Sequence, residues 1–120
     1  MSDHREVTRQ LLERFNHAFE RHRPDDLDDL VADDCCLENT TPAPDGARYE
    51  GGVACLSFWK GVASNSELLF EPEEIWADED RGIIRWKLRW GAQDAERIRG
   101  VNIMRVRNGK IVEGLGYVKG

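Results

Sequence analysis

No stretch of the 120-residue sequence is apolar for more than a few residues. A membrane-spanning helix needs about 20 such residues, so the sequence predicts neither a membrane span nor a membrane partner. The sequence also lacks the basic start and the following apolar segment of a secretory signal, so we expect a cytoplasmic protein. Because one domain typically takes about 100–200 residues, we expect a single domain over residues 1–120.

Cysteine is also scarce, with only Cys35, Cys36 and Cys55 in the chain. Two of the three are adjacent, and adjacent cysteines bridge each other only with strain. The odd count and the spacing match no zinc-binding signature. We therefore expect reduced thiols that pack as small apolar side chains, with no metal and no other cofactor.

Basic residues are rare in the first two thirds of the chain, although the net charge is only −6. Residues 1–80 carry 7 Lys/Arg against 20 Asp/Glu, whereas residues 81–120 carry 10 against 3. Such an asymmetry is typical of a charged tail or of a nucleic-acid-binding surface. The positions of the basic residues along the later strands decide between these alternatives.

The N-terminal half of the chain predicts three helices. In the first, over about residues 3–22, apolar side chains recur at helical spacing and form one stripe, namely Val7, Leu11, Leu12, Phe15, Ala18 and Phe19. Pro24 starts a short second helix, because proline is favoured at the first helical position. A third helix follows Gly51 and Gly52 and ends at about Ser64.

The other segments with regular patterns predict five strands, at residues 35–39, 68–77, 83–90, 96–107 and 110–118. Turns join the later strands near Gln93-Asp94 and at Asn108-Gly109, and the second dipeptide is a strong signal of a two-residue hairpin turn. With helices first and consecutive strands after them, the chain is predicted to be α+β. The helices would cover one face of a curved antiparallel sheet.

Two of these strands predict which side chains face the helices. In residues 83–90 every second residue is apolar, and the residues between them are Arg85, Lys87 and Arg89. Such a period of two is typical of a sheet with one covered face. This alternation, continued into residues 96–107, predicts that four candidate site residues point inward from the sheet, namely Trp86, Trp90, Asn102 and Met104.

The element order and four segments of the chain resemble the NTF2-like, or SnoaL-like, superfamily. The segments are residues 37–42 (LENTTP), 58–59 (FW), 99–102 (RGVN) and 108–113 (NGKIVE). Ketosteroid isomerases, limonene-epoxide hydrolases and polyketide cyclases belong to this superfamily. The resemblance implies a cone-shaped fold, in which the sheet curls around the three helices and leaves an apolar pocket open at one end. Because such a fold hosts several chemistries, the pocket must decide the function.

The resemblance and the strand parity together predict the residues that line the pocket. They come from the first and third helices and from the inner face of the sheet, and they are Phe15, Phe19, Phe58, Val62, Trp86, Trp90, Met104, Gly114 and Gly116. The resemblance places the two glycines on the inner face, where they leave room that working side chains fill in other members. The alternative is that the aromatic side chains form a solid core.

Asn39 and Asn102 are the predicted catalytic residues. The resemblance to ketosteroid isomerases puts their aspartate base at Asn39, their tyrosine at Phe15 and their oxyanion-stabilising acid at Asn102, so all three ionisable groups are absent. In limonene-epoxide hydrolases an asparagine at the Asn39 position holds the attacking water, but their final-strand aspartate corresponds to Gly116. Two amides cannot replace these bases. They can orient a carbonyl or enol oxygen, unless they bond to each other, to water or to backbone.

The predicted site lacks a general base, and the strand at residues 68–77 could supply one. Glu71 and Glu73 share one face of their strand, and the pattern does not determine whether this face looks into the pocket. Glu38 is expected to point away from the pocket, because it alternates with Asn39. His17 is expected near the surface, because it lies about 200° around the first helix from Phe15.

The basic residues of the later strands fall on the outer face of the sheet, at Arg85, Lys87, Arg89, Arg97, Arg99, Arg105 and Arg107. Binding of single-stranded nucleic acid also requires aromatic platforms, and the tryptophans point to the other face. Val101 and Ile103 lie between the arginines, as in a contact surface. Because members of the superfamily commonly dimerise through this face, we expect a homodimer and no nucleic-acid partner.

These observations favour a SnoaL-like small-molecule enzyme of the cyclase, isomerase or hydratase/hydrolase type. Its substrate would be a small apolar ligand that bears a carbonyl or is cyclic. The alternative is a non-catalytic small-molecule-binding or dimerisation module, which the missing carboxylates favour. A third hypothesis, a protein-interaction domain like the transport members of the superfamily, needs a partner-binding surface that the sequence does not identify.

Overall fold

The structure of the protein is a computed structural model that describes residues 4–91 and 96–119. In chain order the elements are α1 (His4–Glu20), a 3₁₀ helix (Pro24–Leu27), β1 (Val31–Glu38), β2 (Arg48–Glu50), α2 (Gly52–Ser64), β3 (Leu69–Asp78), β4 (Arg81–Arg89), β5 (Arg97–Arg107) and β6 (Lys110–Val118). These elements confirm the α+β class. The turn predicted near Gln93-Asp94 lies outside the described residues.

Three elements differ from their predicted form. The predicted second helix is a single 3₁₀ turn of four residues, so within the described residues two α-helices rather than three cover the sheet. β1 begins at Val31 rather than at residue 35, because the exposed pair Asp33 and Asp34 interrupts the apolar pattern that marks a strand. β2 has no counterpart among the predicted strands, because three residues are too few to show a period.

The six strands form one sheet in the order β2-β1-β6-β5-β4-β3. β3 to β6 are antiparallel neighbours, but β1 runs parallel to β6, with Leu37 opposite Gly114. The predicted antiparallel sheet is therefore a mixed sheet. Apolar alternation cannot reveal this difference, because it records which face of a strand is covered and not the direction in which the strand runs. The segment from β2 to β5 supplies the long crossover that a parallel pair requires.

The two α-helices cover the inner face of the sheet, with α1 over β3 and β4 and α2 over β1. The stripe of α1 is buried as its spacing predicts, except for Val7, which is exposed at the start of the helix. The parity of β4 is confirmed, because Ile84 and Trp86 are buried whereas Arg85 is exposed. Within the described residues, neither helix is long and apolar enough to cross a membrane.

Candidate functional site

A cavity of about 120 Å³ lies between the two α-helices and the inner face of the sheet. Much of its wall is aromatic, and the rings that form it are Phe15, Phe19, Phe58, Trp59, Phe70 and Trp86. Four neutral polar side chains share this wall, namely Asn16, Asn39, Thr40 and Asn102. The centre of the fold is therefore hollow and largely apolar, with a few uncharged polar groups.

The structure brings nine of the predicted site residues to the wall of this cavity, namely Asn39, Asn102, Phe15, Phe19, Phe58, Val62, Trp86, Gly114 and Gly116. Met104 is instead fully buried in the core next to Gly114, where its sulfur would lie 3.3 Å from an added Cβ. The prediction that Trp90 points inward is wrong, because its side chain is 43% exposed. Trp90 follows the last residue of β4, Arg89, so the alternation continues beyond the part of the strand that the helices cover.

Asn16 is a cavity residue that the sequence interpretation missed. Its side chain is buried, and its Nδ2 donates a hydrogen bond to Glu20 Oε1 over 3.2 Å. Asn16 follows Leu12 by four residues and precedes Phe19 by three, so it lies within the buried stripe of α1. The position of this polar residue within the apolar stripe is the signal by which the sequence could have revealed it.

Glycines of the inner face make room for indole rings. A Cβ on Gly114 would lie 2.8 Å from Cζ2 of Trp59, and a Cβ on Gly100 would lie 2.8 Å from Cζ2 of Trp86. The room that we expected at Gly114 is therefore filled by Trp59. Gly116 is partly enclosed too, because an added Cβ would lie 3.1 Å from Cγ2 of Thr40.

Asn102 is oriented by Trp86. The indole Nε1 of Trp86 donates a hydrogen bond to Asn102 Oδ1 over 3.1 Å. An indole N–H can only donate, so the amide must present its oxygen to Trp86 and its Nδ2 elsewhere. Because Asn102 lines the cavity, its N–H groups are the donors that a bound ligand would meet.

Asn39 lies immediately after β1, at the edge of the cavity. Its backbone N–H donates to Ala47 O over 2.8 Å, and its Nδ2 donates to Thr41 Oγ1 over 3.2 Å. The two site amides therefore have different partners, and within residues 4–91 and 96–119 no hydrogen bond joins them to each other. Asn39 keeps Oδ1 as an acceptor, whereas Asn102 keeps Nδ2 as a donor.

Two acidic candidates for a base lie on the outer face of the sheet. Glu73 sits at a β-bulge of β3, and its carboxylate accepts hydrogen bonds from Arg99 Nε and Nη2 over 2.9 and 2.6 Å. These bonds lower the pKa of Glu73 below its usual value, whereas a base in an apolar cavity has a raised pKa. Glu71 faces Lys87 over 3.9 Å. Neither carboxylate enters the cavity.

Glu38 is the one ionisable residue in the cavity wall that the structure describes. Its carboxylate pairs with Arg48 Nη1 over 3.0 Å, and its side chain is 36% exposed. Alternation along β1 directs this side chain away from the interior, which Leu37 faces. Glu38 therefore places a paired carboxylate at the edge of the cavity and not inside it.

The thiols are not activated nucleophiles. All three cysteines are free, as predicted, and Cys55 Sγ donates to the backbone oxygen of Cys35 over 3.3 Å. Burial raises the pKa of the Cys35 and Cys55 thiols, so neither is ionised near neutral pH. Among the residues that the structure describes, no three His, Cys, Asp or Glu side chains are grouped as a metal ion would require.

The outer face of the sheet combines paired charges with a row of apolar side chains. Arg85 pairs with Glu74 over 3.0 Å, and Arg99 pairs with Glu73 over 2.6 Å. The acidic residues of β3 thus neutralise part of the positive charge of β4 and β5. Four apolar residues lie opposite one another on neighbouring strands and form what we term the outer row, Trp76, Ile83, Ile103 and Leu115.

Comparison with solved structures shows that the arrangement of helices and strands is shared. An NTF2-like protein of unknown function from Mesorhizobium loti is 44% identical, with a TM-score of 0.91 over 100% of this chain and 97% of that chain. A putative ketosteroid isomerase from Kribbella flavida is 17% identical, with a TM-score of 0.79 over 96% of this chain and 79% of the other. An LEH-like epoxide hydrolase from M. tuberculosis is 19% identical, with a TM-score of 0.76 over 99% of this chain and 83% of the other. The last two similarities show the fold alone.

Comparison by sequence identifies the family. No curated protein matches the sequence. Residues 12–114, which extend from α1 to β6, match the family model of the SnoaL-like domain. Together with the NTF2-like fold, this match over most of its length shows that the chain belongs to the SnoaL-like domain family.

Proposed function

We propose that the protein is a SnoaL-like small-molecule enzyme whose cavity binds a neutral, largely apolar ligand with a carbonyl or other acceptor oxygen. The reaction would be of the cyclase, isomerase or hydratase/hydrolase type. The observation that carries this proposal is an aromatic cavity with two differently oriented amides, Asn39 and Asn102, in its wall. A largely apolar cavity with a few converging polar groups is typical of a small-molecule site.

The size of the cavity limits the part of the ligand that it encloses. Sites for drug-sized molecules typically measure about 300–1,000 Å³, whereas this cavity measures about 120 Å³. A cavity of about 150 Å³ is large enough for benzene. We therefore expect the enclosed part of the ligand to be a single ring or a branched chain of similar size, and a fused polycyclic ligand would extend beyond the opening.

Asn102 would stabilise negative charge on the ligand oxygen. Because Trp86 holds its Oδ1, its Nδ2 is a fixed donor in an apolar wall. Such a donor stabilises an enolate or a tetrahedral oxyanion better than water does, because it need not reorient during the reaction, and its loss typically costs about 10²–10³-fold in rate. Asn39, with Oδ1 as an acceptor at the edge of the cavity, would hold a water molecule or a ligand hydroxyl.

Turnover also requires a proton acceptor, and Glu38 is the candidate at this site. Glu38 borders the cavity next to Asn39, so its carboxylate would act on a ligand through a bridging water molecule. If the protein is an enzyme, Glu38→Gln should abolish turnover and leave ligand affinity nearly unchanged. The alternative, a binding module without catalysis, predicts ligand binding and no turnover that depends on Glu38.

Fragment titration tests the assignment of the two amides. Single-ring ketones, epoxides and alkenes would be titrated into isotope-labelled protein and followed by NMR. Asn39→Ala and Asn102→Ala should each weaken binding of oxygen-bearing hits by about five- to ten-fold. Gln10→Ala, which removes an exposed carboxamide from α1, is the matched control and should change nothing. If both site variants bind every hit as tightly as the wild type, the assignment is wrong.

We also propose that the protein forms a homodimer through the outer face of the sheet. The outer row leaves large apolar side chains in solvent, with Trp76 55% and Ile103 37% exposed. Acidic residues of β3 and arginines of β4 and β5 flank this row. In a dimer with a twofold axis, the carboxylates of one copy can therefore lie against the arginines of the other. The same surface would serve both copies.

A charge in the outer row tests the dimer. Ile103→Glu should convert the dimer to a monomer in size-exclusion chromatography with light scattering. Val53→Glu places the same charge on a residue that is 88% exposed and belongs to α2, on the inner side of the sheet, and it should leave the dimer intact. A wild-type protein that remains monomeric at high concentration contradicts the proposal.

A further inference from the structure

We infer that Trp86 sets the hydrogen-bond polarity of the cavity wall at Asn102, so that this position favours ligands that accept a hydrogen bond over ligands that only donate one. This inference rests on the proposed ligand-binding role of the cavity. It concerns a positioning residue, because Trp86 would act on ligand choice through Asn102.

The first step is the geometry of the amide. A primary amide can rotate by about 180° and exchange its oxygen and nitrogen with almost no change of shape. At Asn102 this rotation would bring Nδ2 against the indole N–H of Trp86, which is 3.1 Å from Oδ1 in the structure. Two donors would then face each other, and neither would have a partner. Trp86 therefore keeps the oxygen of Asn102 turned towards itself.

The second step is the position of Trp86. Its side chain is buried, and its ring lies against the backbone of Gly100, where an added Cβ would be 2.8 Å from Cζ2 and Cη2. Gly100 is the residue opposite Trp86 in the β4–β5 pairing. Phe70 meets the same ring edge-on, with 6.3 Å between the ring centroids. These contacts leave the indole little freedom to turn its N–H away from Asn102.

The consequence is a cavity wall that donates at this position. A ketone, an epoxide or an ether can accept a hydrogen bond from Asn102 Nδ2. A ring whose polar group only donates, such as pyrrole, must share Asn102 Oδ1 with the indole N–H of Trp86, and Asn39 Oδ1, the acceptor of the other site amide, lies at the edge of the cavity. The two ring types have similar size and differ in the direction of the hydrogen bond, so the ratio of their affinities measures the polarity of the wall and not its volume.

The experiment compares cyclopentanone, pyrrole and cyclopentane by NMR titration in three forms of the protein. The wild type should bind cyclopentanone about five-fold or more tightly than pyrrole. In Trp86→Phe the ring remains, but the amide is free to rotate, so this ratio should fall to within about two-fold of one. Trp90→Phe removes an exposed indole outside the cavity and leaves the partner of Asn102 in place, so it should keep the wild-type ratio.

Two outcomes overturn the inference while the cavity remains a binding site. One is a wild-type protein that binds cyclopentane, cyclopentanone and pyrrole with equal affinity, and the other is a Trp86→Phe protein that keeps the wild-type ratio. If not even cyclopentane binds to the wild type, the proposed function itself is contradicted.

Discussion

The indole of Trp59 occupies the space next to Gly114, where an added Cβ would lie 2.8 Å from its Cζ2. The same ring is buried and meets Phe15 edge-on, with 4.9 Å between the ring centroids. One indole thus connects the final strand, α2 and α1 in the wall of the cavity. Any side chain at position 114 must displace a ring that the cavity depends on.

Gly114→Ala should therefore destabilise the protein. Overpacking of this kind typically costs about 1–3 kcal/mol, because backbone or ring atoms must move to relieve the contact. Chemical denaturation of the variant and the wild type measures the difference. Gly61→Ala is the control, because a Cβ at this exposed position in α2 meets nothing within 4 Å, and it should stabilise the helix by about 0.5–1 kcal/mol. A Gly114→Ala protein as stable as the wild type would show that the contact is loose.

Glu73→Gln should change how stability depends on pH. Hydrogen bonds from Arg99 lower the pKa of Glu73 in the folded state relative to its ordinary value of 4.5. The ionised carboxylate therefore stabilises the fold above about pH 4.5, and this contribution disappears as the pH falls through the lowered pKa. Thermal midpoints should differ between wild type and variant at pH 7 and converge in strong acid. Glu67→Gln, at an exposed acid before β3, should leave the thermal midpoint at pH 7 close to that of the wild type. A Glu73→Gln difference that persists in strong acid would contradict the assignment.

The cysteines should differ in their reaction with a thiol reagent. Cys35 and Cys55 are buried, and burial raises the pKa of both thiols, whereas Cys36 is half-buried. Ellman's reagent at neutral pH should therefore modify at most one thiol of the native protein quickly, and mass spectrometry should place it at Cys36. All three should react after unfolding in guanidinium chloride. Rapid modification of Cys35 in the native protein would show that its strand opens to solvent.

The alternation of side chains predicts the inner face of β4 correctly and fails to do so for β3. The reason is the bulge between Pro72 and Glu74, where one extra residue changes the parity of the strand. Phe70 before the bulge and Ile75 after it pack against the core on different parities. No local sequence pattern marks the inserted residue, so the orientation of Glu73 could not be read from the alternation.

The positions of the site amides could be predicted, but their polarity could not. Strand parity and the resemblance to SnoaL-like proteins place Asn39 and Asn102 near the cavity. The orientation of Asn102 depends on Trp86, which is 16 residues away in the chain and comes next to it only through the β4–β5 pairing. The prediction that Trp90 points inward is wrong for a similar reason. The alternation of apolar residues along a strand does not show where the helices cease to cover it.

A crystal structure of the protein soaked with cyclopentanone tests the central claim most directly. We predict that the ring lies in the aromatic cavity, that its oxygen is about 3 Å from Asn102 Nδ2, and that Asn102 Oδ1 remains bonded to Trp86 Nε1. Density for the ketone outside the cavity, or within it with the oxygen turned away from Asn102, would contradict the claim that this amide recognises the ligand.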